Sequence, residues 1–135
     1  MDARRVLIVD DEADGRESLR MVVALWGYEA IEAGGGSEAL TVILASRPDI
    51  VVMDLGMPDP VRSCEVIAQI KKADPNTIVI AFTGYHRLED AAFAAGADGF
   101  VLKPDVDGLE RQLAYQTRLL RSRAAMRTLR RRRLR

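Results

Sequence analysis

The 135-residue chain has one cysteine, one histidine and no long apolar run, and each scarcity excludes something. Cys64 alone cannot close an internal disulfide and fits a reducing compartment, so the expected location is cytoplasmic. His86 alone cannot build a His-rich metal site, and it leaves little room for a histidine kinase. The longest apolar runs, such as Val6-Leu7-Ile8-Val9 and Ile50-Val51-Val52-Met53, are far too short to span a bilayer. Nor does the N-terminus read as a signal peptide, because its short apolar run meets Asp10-Asp11 at once.

What the chain does have is charge, unevenly placed. The formal net charge is +0, yet all 20 acidic residues lie at or before Glu110, with only ten of the 20 basic ones. The last 25 residues hold ten arginines and no acid. An acidic domain with a basic tail points to an interaction segment at the C-terminus. The length suits one domain with a real core.

Short apolar runs alternate with segments of helical spacing. Strands are expected at residues 5–10, 28–32, 49–54, 77–83 and 99–102. A helix is expected from Glu17 through Leu19, Val22, Val23 and Trp26, stopped by Gly27. A second, capped by Ser37 after the Gly34-Gly35-Gly36 turn, carries Leu40, Ile43 and Leu44 to about Arg47, where Pro48 interrupts. A third carries Val66, Ile67 and Ile70. A fourth spans residues 88–95 and ends at Gly96, and a fifth starts near Asp107. The order is (βα)₅, an α/β doubly wound parallel five-stranded sheet, flavodoxin-like, with an extended basic C-terminal helix.

In such folds chemistry sits outside the carboxyl ends of the strands. Those ends carry Asp10-Asp11, Asp54, Thr83-Gly84 and Lys103-Pro104. Carboxylates gathered there repel and call for a cation, and Mg²⁺ prefers oxygen ligands. Lys103 adds a positive charge and Thr83 a hydroxyl, both suited to phosphoryl oxygens. Any one of these residues could be a turn or cap residue; four strand ends delivering the right groups together carry the argument.

Four runs resemble the response-regulator receiver domains of bacterial two-component signalling. They are Val6-Leu7-Ile8-Val9-Asp10-Asp11-Glu12, Val51-Val52-Met53-Asp54-Leu55-Gly56-Met57-Pro58, Ile80-Ala81-Phe82-Thr83-Gly84 and Gly96-Ala97-Asp98-Gly99-Phe100-Val101-Leu102-Lys103-Pro104. The resemblance covers roughly residues 4–120. It implies that Asp54 is the phosphoacceptor, receiving a phosphoryl group from a histidine kinase or phosphotransfer protein. It implies a Mg²⁺ site at Asp10, Asp11, Asp54 and the Gly56 carbonyl, with Thr83 and Lys103 on the phosphoryl oxygens. Thr83 and Phe100 would be the switch pair, and the Lys103–Pro104 peptide would be cis. A homodimer through the fourth and fifth strand–helix face is a candidate assembly. A switch of this kind is a phosphoacceptor and not a turnover enzyme.

Some residues depart from the family's pattern. The loop Met57-Pro58-Asp59-Pro60-Val61-Arg62-Ser63-Cys64-Glu65 has no glycine to open the third helix, and Ser63 is a candidate cap in its place. Gly56 has no side chain to orient an attacking water, and bulky Tyr85 could shield an acyl phosphate. Together they predict slow self-dephosphorylation. Gly34-Gly35-Gly36 lacks the Lys-Ser/Thr of a P-loop, and Asp54-Leu55-Gly56 lacks the second Asp of haloacid-dehalogenase phosphatases. His86 reads as a loop residue and Cys64 as an unreactive helix residue.

The chain divides into a receiver at 1–120 and a basic helical extension or linker at 121–135. Leu109, Leu113 and Leu120 can face the sheet. Arg130-Arg131-Arg132-Arg133 suits contact with nucleic acid or an acidic partner. Two other functions compete with the phosphorylation switch: a receiver-like module that binds partners without phosphorylation, and nucleic-acid binding through the tail.

Overall fold

A computed structural model describes residues 4–58 and 60–134. Five strands, β1 (Arg5–Val9), β2 (Glu29–Ala33), β3 (Ile50–Met53), β4 (Ile78–Thr83) and β5 (Gly99–Leu102), alternate with five helices. The helices are α1 (Ala13–Leu25), α2 (Gly36–Ser46), α3 (Pro60–Ala73), α4 (Glu89–Ala95) and α5 (Val106–Arg133), with one 3₁₀ turn at His86–Leu88. Every strand pair is parallel, and the order across the sheet is β2-β1-β3-β4-β5.

Strands buried on both faces need apolar side chains pointing both ways, and the short Val/Ile runs supply them. Leu7, Val9, Val51, Met53 and Val79 point to a layer containing Ile43 of α2, Ile67 and Ile70 of α3 and Ala92 of α4. Val6, Ile8, Ile50, Val52 and Ile80 point to a second layer with Val23 of α1 and Leu109 and Leu113 of α5. Helices therefore cover both faces, as the alternating pattern predicts. Truncating a fully buried side chain here, such as Ile67 or Leu113, costs roughly 2–5 kcal/mol.

The stop signals act as expected. Gly27 and Gly96 take φ values of 99° and 113° after α1 and α4, a backbone region that side chains disfavour.

The cap assignments need correction. Ser37 is not the N-cap of α2: the helix opens at Gly36 behind Gly35, and no side chain caps it. The Gly35 carbonyl already accepts from Ala39, which sets the boundary. Ser63 does not cap α3 either, since that helix opens at Pro60 and Ser63 is buried in its first turn. Proline suits a first helical position, where its missing N–H would have had no partner; Asp59 of the same loop lies outside the described residues. α1 starts at Ala13, earlier than Glu17, behind Glu12. α5 is one helix of 28 residues capped by Asp105, whose carboxylate accepts from Gly108 N–H at 2.8 Å.

Candidate phosphoacceptor site

Strand order reverses beside β1, because the chain goes from β1 outward to β2 and then returns to the far side of β1 as β3. A crevice opens at such a switch point outside the strand ends. Val9 and Met53 are register partners across β1 and β3, so the residues that follow them, Asp10 and Asp54, emerge side by side. Met53 pairs with Ala81 and Thr83 with Leu102, which brings Thr83 and Lys103 to the same edge.

Lys103 closes the group. Its ammonium donates to Asp10 Oδ2 and Asp54 Oδ2, both at 3.2 Å. It also stands 5.7 Å from the centroid of the Phe82 ring, a favourable place for a cation. Burial pulls the Lys103 pKa down, but the charges and hydrogen bonds of Asp54 and Asp10 outweigh it, and the net shift is upward. The lysine is therefore firmly cationic at neutral pH. The peptide it forms with Pro104 is cis.

The remaining carboxylate oxygens are also held. Asp54 Oδ1 accepts from Gly56 N–H at 2.9 Å, and Asp10 Oδ1 accepts from Glu12 N–H at 3.0 Å. Thr83 is fully buried, and its hydroxyl oxygen accepts from Tyr85 N–H at 3.3 Å. Phe100 is half-buried against the α2–α4 layer.

Asp11 stands at the edge of the group. It is exposed and lines a groove with Gly34–Gly36 and Met57. Among the described residues no three His, Cys, Asp or Glu side chains close into a metal-binding group. Lys103 offsets one of the two charges of the Asp10–Asp54 pair and leaves a net negative charge there. The donor types at these positions, carboxylate and carbonyl oxygen, fit a hard divalent ion.

Residue spacing misses one contributor to the site and one brace at the opposite edge of the sheet. Arg16 donates to the Asp10 carbonyl at 2.6 Å and pairs with Glu32 at 3.1 Å, so it holds the acidic turn against the end of β2. It lies five and six residues after Asp11 and Asp10, one turn into α1, a spacing that carries no signal by itself. Lys71 reaches Asp98 at 2.9 Å and the Thr77 carbonyl at 2.8 Å, tying α3 to the starts of β4 and β5.

Residues 6–114 match the response regulator receiver domain family. The chain belongs to that family. It is 41% identical over 104 residues to the chemotaxis protein CheY of Thermotoga maritima, covering 75% of this chain and 86% of that protein. It is 37% identical over 119 residues to the response regulator MprA of Mycolicibacterium vanbaalenii, covering 87% of this chain but 50% of MprA. Among solved structures it resembles the response regulator TrrA of Thermotoga maritima in complex with Mg²⁺-BeF. That match has a TM-score of 0.75 and 30% identity, over 84% of this chain and 98% of TrrA. The chain is thus a receiver of two-component phosphorelay signalling, with the CheY-like fold expected of one. None of its described helices is long and apolar enough to cross a membrane.

Proposed function

We propose that this receiver takes a phosphoryl group onto Asp54 from the phosphohistidine of a kinase or phosphotransfer protein, in the cytoplasm. A carboxylate oxygen of Asp54 attacks phosphorus, the P–N bond breaks, and the imidazole leaves. The observation that carries this reading is the Lys103 ammonium shared between Asp10 and Asp54. It puts one fixed cation where phosphoryl oxygens would sit, and catalysis of such transfer rests on positioning and charge neutralisation.

Asp10, Asp11, Asp54 and the Gly56 carbonyl would hold Mg²⁺, which supplies orientation of the phosphoryl oxygens and further charge neutralisation. Thr83 and Lys103 would bind those oxygens after transfer. Drawing the Thr83 hydroxyl from Tyr85 N–H toward the new charge leaves room for half-buried Phe100 to turn inward. Residues 1–120 would be the working receiver and 121–135 an extension. The molecule acts as a switch and not as a turnover enzyme.

The test is intact mass after incubation with Mg²⁺ and acetyl phosphate. The parent should gain one phosphoryl group and Asp54→Asn none. No gain in the parent would favour a module that binds partners without phosphorylation.

A further inference from the structure

α5 presents two unlike faces. Leu109, Leu113 and Leu120 pack against the sheet. On the other side Tyr115, Leu119, Ser122, Met126 and Leu129 recur at spacings of four, three, four and three, the seam of a coiled coil over two heptads. Among the described residues most of that seam is open to solvent: Tyr115 is 49% exposed, Met126 52% and Leu129 54%, while Leu119 is half-buried. Leu119, Ser122 and Met126 line a shallow groove along it with Arg123, Arg127 and Arg130.

With Leu119 and Met126 at the first core position of each heptad, the flanking positions are Gln116, Arg118, Arg123, Ala125, Arg130 and Arg132, of which Gln116 is buried against the domain. Flanking charges choose the partner of a coiled coil. Two copies of this helix would set arginine against arginine, whether parallel or antiparallel. Nucleic acid would satisfy the arginines but leave the apolar seam in water. An acidic helix satisfies both.

We propose that α5, from Tyr115 to Leu129, is a docking seam for an amphipathic helix of another protein, one with an apolar heptad stripe flanked by Asp or Glu. This surface lies on α5, away from Asp54, so the inference does not depend on the phosphoacceptor reading and is tested without phosphorylation.

The probe is a labelled three-heptad peptide with Leu in the core positions and Glu flanking them, titrated into the full chain and followed by fluorescence anisotropy. A twin peptide carries Lys in place of Glu. The Glu peptide should bind one to one and the Lys peptide should not. Met126→Ser with Leu129→Ser should weaken binding about tenfold or more; both residues are exposed, and circular dichroism would verify the fold. Arg123→Glu with Arg130→Glu should transfer the preference to the Lys peptide. The proposal is overturned if the Glu peptide does not bind, or if the serine substitutions leave its binding unchanged. It is also overturned if sedimentation shows a dimer of the chain that those substitutions break, or if duplex DNA binds while neither peptide does.

Discussion

The ring of Tyr85 lies against Gly56: a Cβ built at residue 56 would meet Tyr85 Cε2 at 2.7 Å and Asp54 Oδ1 at 3.3 Å. The tyrosine thus fills the space that a side chain beside Asp54, the proposed phosphoacceptor, would need. It leans over the Asp54 loop while its own backbone N–H holds Thr83. Excluding water from an acyl phosphate slows hydrolysis. Tyr85→Ala should shorten the lifetime of the phosphorylated protein several-fold, read as the decay of its intact-mass peak. An unchanged lifetime would mean that the ring shields nothing.

The Lys103 bridge makes a prediction about metal. With the ammonium in place the repulsion between the two carboxylates is partly offset, one positive charge against two negative ones. In Lys103→Met they repel each other, and a divalent ion is then the remaining means of neutralising them. Ligand binding to the native state raises stability by mass action. Saturating Mg²⁺ should therefore raise the Tm of Lys103→Met by more than it raises that of the parent. Equal shifts would show that the ion and the lysine do not share these oxygens.

The same bridge fixes a pH dependence. The folded pKa of Lys103 lies above its ordinary value, so the native state holds this proton more tightly than the unfolded chain. Its contribution is fully present below the ordinary lysine pKa and disappears as pH rises through the raised folded value. The urea midpoint difference between the parent and Lys103→Met should stay flat from about pH 6 to 9 and shrink only in strong alkali. A difference that changes near neutrality would have another source.

Asp98 is a structural joint. One carboxylate oxygen accepts from Val79 N–H and from Lys71, both at 2.9 Å. Removing it strips a partner from a backbone donor and from a partly buried ammonium. Asp98→Ala should cost about 1–3 kcal/mol, measured by urea denaturation, with Asp54 phosphorylation still observed at low temperature.

How far the sequence carries can be judged from these residues. The sheet was legible because strands buried on both faces must be continuous Val/Ile runs, and the runs at 6–9, 50–53 and 78–82 have no other use. Asp10, Asp54, Thr83 and Lys103 were legible because a parallel sheet brings strand ends together whatever the loops do. The Arg16 hold on Asp10 was not, since it depends on how α1 leans across the end of β2. Cap positions failed for a similar reason: Ser37 and Ser63 are good capping types, but Gly35 and Pro60 decide where α2 and α3 begin. The Tyr85–Gly56 contact was half visible, because the residue types could be read and the ring's direction could not.

The receiver is proposed to end at Leu120. Leu120 still packs against the layer formed with α1, whereas beyond it Ala124 alone among the described residues is half-buried and the rest of α5 is exposed. Little apolar area is therefore lost by ending the chain after Leu120, and helical hydrogen bonds on the exposed turns contribute little net stability. Residues 1–120 should melt within a few degrees of the full chain and accept phosphate at Asp54 at a similar rate. Cutting instead after Leu109 removes Leu113, which is fully buried, and should unfold the domain or lower its stability by roughly 2–5 kcal/mol or more. If the shorter loss of residues 121–135 also unfolds the protein, the arginine-rich turns are part of the receiver's own core support and not an appended segment.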